Sequence, residues 1–174
     1  MAFCDLLNGG LNLDCTNNTG GITNIYVADF KLITGTTETA GSLSAIGLSG
    51  GTAAFYEFEF HRNSSSYEEV LNTSTNGGSF YAQTVNLVLS KRQKIKREVL
   101  VKLTAGQKRL FVIVKDSNGL YFAIGSGEGA IVSAIAGGSG IAKGDANVYN
   151  VTFTAEENNS IPEVTLAIVA GLLA

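Results

Sequence analysis

SFYAQTVNLVLSKRQKIKREVLVKLTAGQKRLFVIVKDSNGLYFAIGSGEG, Ser79 to Gly129, is the stretch whose reading decides the fold class. From Phe80 to Ser90, Tyr81, Val85, Leu87 and Leu89 share one face of a period-2 pattern, so the run reads as a long strand. The chain then turns basic. In KRQKIKREVLVKLTAG, Lys91 to Gly106, the residues Ile95, Val99 and Leu103 recur four apart with Leu100 beside them. That spacing predicts an amphipathic helix over Lys91 to Ala105, packed through Ile95, Val99 and Leu103. Gly106 stands where a left-handed cap ends it. Arg109 to Lys115 is apolar throughout Leu110–Val114, as a strand buried on both faces would be. Asp116-Ser-Asn-Gly119 is a turn, and Leu120 to Gly125 returns as the second arm of a hairpin.

Working outward, the N-terminal side supplies more strands. Ile22 to Phe30 reads as a strand after Gly20-Gly21. Ala54, Tyr56, Phe58 and Phe60 alternate with Glu57, Glu59 and His61, a half-buried strand. Tyr67 to Ser74 is expected to pair back on it, and the 80–90 strand to follow, forming an antiparallel meander. GTTETAGSLSAIGLSGG, Gly35 to Gly51, is small and polar and reads as a long loop. On the C-terminal side, Ala130–Ile135 and Asn147 to Ala155 are strands, with a glycine-rich turn and mobile loop over 136–146. Pro162 precedes a last strand. Residues 35–51, 136–146 and both termini are expected to be ordered mainly by neighbouring subunits.

The fold class is therefore mainly β: an antiparallel sandwich or barrel with one flanking helix and extended termini and loops. One domain over 1–174 is expected, with an N-terminal arm at 1–21, a β domain at 22–160 and a C-terminal strand or arm at 161–174. A chain of 174 residues with 21 Gly and one Pro buries enough surface to fold without metal or disulfide. Cys4 and Cys15 are expected to be reduced thiols. MAFCDLLNGG has neither an early cation nor a long apolar core, so no secretory signal is expected. The apolar run Val164 to Ala174 is too short for a membrane span, and needs cover from this subunit or a neighbour.

Net charge is only −3, but nine of the 12 Lys and Arg residues lie between Lys91 and Lys115. Lys91, Lys94, Lys102 and Lys108, with Arg92, Arg97 and Arg109, form the one patch suited to phosphates. The alternative reading is a solvated helix face, or one that meets an acidic surface of a neighbouring subunit. Few aromatics interleave, which disfavours stacking on single strands.

No catalytic constellation emerges, and no enzyme activity, cofactor or metal is expected. His61 is the only histidine and reads as a surface residue. GGSGIAK, Gly137 to Lys143, has Ala142 where a phosphate loop needs glycine and Gly144 where it needs Ser or Thr. Glu57 and Glu59 share a strand face, as paired carboxylates might, but the sequence gives them no apolar pocket, so they read as solvated. The triplets at Asn63 and Asn150 carry little weight without a signal peptide.

Taken in order, several features resemble small virion proteins of tailed phages, including those of Bacteroidetes and marine bacteria. They are the N-terminal arm with Cys4 and Cys15, and Gly20-Gly21-Ile22 leading into Ile25-Tyr26-Val27. The long strand ending in a Lys-rich segment and Val112-Ile-Val-Lys-Asp-Ser-Asn-Gly119 follow. Gly125-Ser-Gly-Glu-Gly129, Gly140-Ile-Ala-Lys-Gly-Asp145, Val151-Thr-Phe153 and Glu156-Glu157 complete the series. It covers the chain to about Glu157; the apolar end after Pro162 departs from it. The resemblance implies a tail, tail-tube or neck-ring structural protein made in the host cytoplasm and carried in the virion. The implied fold is a tail-tube-like sandwich or barrel with one helix. The implied partners are a homo-oligomeric ring, of about six or about twelve copies, neighbouring tail or neck proteins, and DNA that passes without specific binding. No membrane is implied.

Residues alone lead to the same class: a β domain with unlike basic and acidic surfaces suits a head-to-tail oligomer. The expected interface is Lys91, Arg92, Lys94, Arg97 and Lys102, and the expected bore lining is Glu57, Glu59 and the polar residues around them. The competing functions are a nucleic-acid-binding module using residues 91–109, and a receptor- or glycan-binding β-sandwich.

Overall fold

The continuously apolar stretch Leu110–Val114 sits where such a stretch must, in a strand covered on both sides. The computed structural model describes residues 18–49 and 55–172. In it, β7 (Leu110–Asp116) lies inside a seven-stranded sheet with β1 (Ile22–Asp29) on one side and β8 (Tyr121–Ile124) on the other. One face of these strands presents Ile25, Val27, Val112, Val114 and Ile124 to a second sheet. The other face presents Tyr26, Ala28, Phe111, Ile113 and Ala123 to the C-terminal segment. The remaining members are β2 (Ile33–Thr39), β3 (Ser42–Leu48), β4 (Tyr56–Phe58) and β11 (Glu163–Val164), in the order β2-β3-β11-β8-β7-β1-β4. A short 3-10 helix, Phe30–Leu32, joins β1 to β2.

The second sheet has four antiparallel strands: β5 (Ser66–Thr73), β6 (Ser79–Ser90), β10 (Val148–Glu157) and β9 (Ile131–Gly138), in that order. The period-2 pattern places Val85, Leu87 and Leu89 of β6 and Tyr149, Val151, Phe153 and Ala155 of β10 in the inter-sheet core. The chain is thus a mainly β sandwich with a flanking helix, as its periodicities imply. That helix, α1, runs Lys94–Thr104, beginning three residues later than the amphipathic pattern.

Five expectations need correction. The segment 35–48 is not a loop: β2 and β3 pair as a hairpin. Its turn is Ala40-Gly41, both with positive φ, the two-residue geometry that hairpins favour. Alanine in the left-handed region is uncommon, so this turn has no sequence signature. The hairpin is also tied to the rest of the sheet, since β11 pairs with β3 in parallel. Second, β4 and β5 are not hairpin partners. β4 pairs with β1 and β5 with β6, and the connection between them crosses from one sheet to the other. Alternation tells which face of a strand is buried, not which strand lies beside it. Third, β9 carries the glycine zone to Gly138, pairing it with Val148, so only residues 139–147 form the loop.

Fourth, the helix packs through a different face. Leu100 is the buried residue of α1, and Leu103 packs on the core. Ile95 is 73% exposed and Val99 37%. Fifth, the C-terminal run becomes α2 (Leu166–Leu172), whose Val169 and Leu172 cover the far face of the seven-stranded sheet. Its own subunit covers Val164, Val169 and Leu172, while Leu166 is exposed. Phe55, which falls outside the Tyr56/Phe58 alternation, is buried beside Phe111 on that face. Cys4, Cys15 and Ala54 lie outside the described residues. No helix among the described residues is long and apolar enough to cross a membrane.

Candidate assembly surfaces

The strand alternation that fills the core also determines what the four-stranded sheet shows to its outer side. Partners in register share a face, so Ser66 and Glu68 of β5 line up with Asn86 and Thr84 of β6. These in turn line up with Thr152 and Thr154 of β10. Asn150 and Glu156 complete the β10 row. Thr152 Oγ1 and Asn86 Oδ1 are 3.1 Å apart, bridging the two strands across this face. No Lys or Arg occurs in β5, β6, β9 or β10. The face carries no cation; Glu68 and Glu156, toward one end, are its charges, and Val70, Phe80, Ala82 and Val88 share it with the polar residues. Both edge strands, β5 and β9, span eight residues and among the described residues have no strand beside them other than β6 and β10 respectively. β9 offers Ser133-Ala-Ile-Ala136, exposed and free of charge or proline, with none of the side chains that normally blunt an edge.

The basic segment divides into cations that serve the fold and cations that do not. Arg92 stacks over the Tyr149 ring at 5.1 Å, and Arg109 over Phe30 at 5.2 Å. Lys96 Nζ donates to the Ser90 carbonyl. Lys94 and Glu98 form an exposed pair at 3.8 Å, which contributes little. Lys91, Arg97 and Lys102 project from the surface and have no hydrogen-bond or ion-pair partner through their side chains among the described residues. Of the five expected interface cations, then, Arg92 is largely committed to its own subunit and Lys91, Lys94, Arg97 and Lys102 remain outward. α1 also lacks acids in its first turn, and Gln93 caps it with no side-chain bond. Cations at that end oppose the helix dipole, so the helix depends on Leu100 and Leu103 for its hold.

Glu57 and Glu59 lie elsewhere than on the four-stranded sheet. They sit at the edge of the seven-stranded one, facing a cleft of about 530 Å³ between β4 and α1. Glu57 accepts from Asn24 Nδ2 at 2.5 Å. Its strand neighbour Tyr26 has its pKa raised, first by burial and then by the Glu57 charge. The same cleft holds His61.

The Gly125-to-Gly129 turn is closed by contacts within the chain. Its amides are already occupied by an anion of the chain: Gly127 N and Glu128 N donate to the buried Glu157 carboxylate at 3.1 and 2.8 Å. Buried Gln83 accepts from Gly125 N at 3.1 Å and reaches the Asn159 carbonyl at 3.5 Å. Glu69 receives Ile161 N at 2.6 Å and Ser160 Oγ at 2.9 Å. Three polar side chains thus fasten this end of the sandwich. Nothing in the sequence pairs residue 157 with residue 127, since a contact of that range has no periodicity. Among the described residues no group of three His, Cys, Asp or Glu is placed to hold a metal.

At the opposite end, the β9–β10 loop is stiffened by Asp145. Its carboxylate accepts from Ile141 N at 2.7 Å and Ala142 N at 2.8 Å, and these bonds lower its pKa. Gly140 is at φ +69°, where a side chain would run into Asp145 Cβ. A depressed carboxylate stabilises at neutral pH and loses that contribution as pH falls through its folded-state pKa. The loop should therefore loosen only below pH about 4. The protection factors of the Ile141 and Ala142 amides, taken against the intrinsic exchange rate at each pH, are expected to fall there, and to be lost at every pH in Asp145→Ala. Protection that persists in the variant would show that the carboxylate does not hold the loop. No family model, curated protein or solved structure matches the chain.

Proposed function

We propose that this chain is a non-enzymatic structural protein of a tailed-phage virion, building a ring or tube through which DNA passes. The observation that carries the reading is the outer face of the four-stranded sheet: mixed polar and apolar, with no cation and only Glu68 and Glu156 as charges, and bounded by edge strands without a further partner among the described residues. A duplex carries one negative charge per roughly 1.7 Å, and each cation that contacts it adds salt-dependent affinity. A wall meant to let DNA slide must omit them. Open edges of β5 and β9 let the sheet of one copy continue into the next, and closure of such a series removes both edges of the four-stranded sheet. In this arrangement the bore is lined by Asn86, Asn150, Thr84, Thr152, Glu68 and Glu156. Glu57 and Glu59 leave the bore for the β4–α1 cleft.

A second reading is favoured by one observation, the outward Lys91, Lys94, Arg97 and Lys102. These could bind nucleic acid from outside rather than meet an acidic neighbour. Electron microscopy of the purified protein and a charge reversal separate the two. Rings or tubes that fail to form with Lys94→Glu and Lys102→Glu together, in a parent with no DNA affinity, are the expected result. Unchanged rings that lose a salt-sensitive DNA affinity of the parent would overturn the conduit and favour the binding module.

A further inference from the structure

We propose that the β9–β10 loop inserts Ile141 into the cleft between β4 and α1 of a second copy of this chain. Ile141 is fully exposed, at 103% of its reference accessibility. It stands on a loop that is not loose. Besides the two bonds to the Asp145 carboxylate, Asp145 N donates to the Ala142 carbonyl at 3.1 Å. A side chain held in place before contact loses little freedom on docking, so more of its burial appears as affinity. A rigid loop that presents a lone branched aliphatic to water has the form of an anchor, and anchors dominate the energetics of interfaces when they fill a pocket.

The cleft has the matching form. Its apolar walls include Phe58 and Phe60 from the β4 side and Ile95 and Val99 from the helix. It continues past Phe58 and Val99 into a second cleft of about 580 Å³ beside Tyr56 and Leu103. Ile95 and Val99 are the two helix residues that belong to the apolar stripe yet do not reach the core. An apolar stripe that its own fold leaves uncovered calls for an outside cover.

Charge specifies the cover. Lys143 stands two residues beyond Ile141 and has no partner among the described residues. Glu59 lines the cleft and likewise has none. Of the other titratable groups at the cleft, Glu57 accepts from Asn24, Lys96 donates to Ser90, and His61 stands two residues beyond Glu59 on the same side. Ile141 in the cleft brings the Lys143 ammonium toward Glu59. Asp145, the loop's own anion, keeps its charge but is tied to the loop backbone by the Ile141 and Ala142 amides, so Lys143 is the loop's one mobile charge. The loop ends near the cleft of its own subunit, where Lys91 N donates to Asn147 O at 2.7 Å. Its Ile141 nevertheless stays wholly in water, so the cleft that receives it belongs to another copy. The contact joins two different surfaces, as closed rings require. It goes beyond the conduit, because it specifies the partner surfaces whatever passes through the assembly.

The test uses the full chain with Cys4→Ser and Cys15→Ser. Two differently tagged forms, one carrying Ile141→Cys and the other Ile95→Cys, are mixed and mildly oxidised. Both positions are exposed, so neither change disturbs folding. A disulfide between the two tagged forms is expected to predominate over those within each form; its absence, or predominance of the like-with-like bridges, overturns the proposal. Ile141→Asp is expected to weaken self-association about 30-fold or more by sedimentation, and unchanged association overturns it. Lys143→Glu should weaken association about 3-fold, and adding Glu59→Lys should restore it; failure of that rescue removes the charge pairing. Rings without the mixed disulfide sink the docking and leave the conduit standing. The mixed disulfide in a form that never closes into rings does the reverse.

Discussion

Leu100→Asp is expected to lower the melting temperature by about 8–16 °C, while Ile95→Asp leaves it nearly unchanged. The two residues lie on one helix of 11 residues and differ in what they touch. Leu100 is 3% exposed and belongs to the inter-sheet core. Truncating such a leucine costs about 2–5 kcal/mol in lost contacts and residual cavity. A carboxylate there must also be desolvated without a partner, so the total reaches about 4 kcal/mol or more. For a chain of this size each kcal/mol moves the midpoint by about 2–4 °C. Ile95, at 73% exposure, has little to lose in the isolated subunit. Thermal unfolding of both variants is the measurement. Equal losses would mean that the helix packs through the stripe that its periodicity suggests. A variant at Ile95 that melts normally yet assembles poorly fits the cleft's role as a docking surface.

Asn86→Lys with Asn150→Lys is expected to turn a permissive wall into a retentive one. Both side chains are exposed on the cation-free face, on adjacent strands paired in register, so the fold has room for the longer chains. Closing the ring multiplies the two substitutions by the number of copies. About six to ten phosphate contacts lose roughly 10³–10⁵ in affinity between 50 and 200 mM salt, and that steep slope is the signature to read. The parent ring should bind duplex DNA weakly and with a shallow slope; the variant ring should hold it tightly at low salt and release it at high salt. Rings of the variant that bind no better than the parent would show that this face does not line the passage. The same substitutions in unassembled protein should change affinity far less, because two cations on a flat sheet contact few phosphates.

Much of this molecule is legible as periodicity. The alternation of β6 and β10, the unbroken apolar run of β7 and the Asp116–Gly119 turn all express short-range rules, and each forms as its residues dictate. The misreadings have a common origin. The Ala40-Gly41 turn uses a left-handed alanine, which sequence rules assign to no turn type, so Gly35–Leu48 passes for a loop. The helix stripe has two plausible faces, one through Ile95 and Val99 and one through Leu100 and Leu103. Which of them is buried depends on how the helix rolls against β-strands whose position the sequence does not encode locally. α2 was hidden in a run whose apolar character is the same for a strand or a short helix.

Composition and period were enough to establish a β-rich chain with one basic amphipathic helix, because side-chain alternation is a local property of the backbone. Pairing was decided only by the tertiary structure. It put β4 in one sheet and β5 in the other, withdrew Glu57 and Glu59 from the four-stranded sheet, and filled the Gly127 and Glu128 amides with Glu157 from 29 or more residues away. It also gathered the Asn and Thr residues of β6 and β10 into one face without a cation. Such placements arise from which strands exclude water together, a choice made by the whole chain at once.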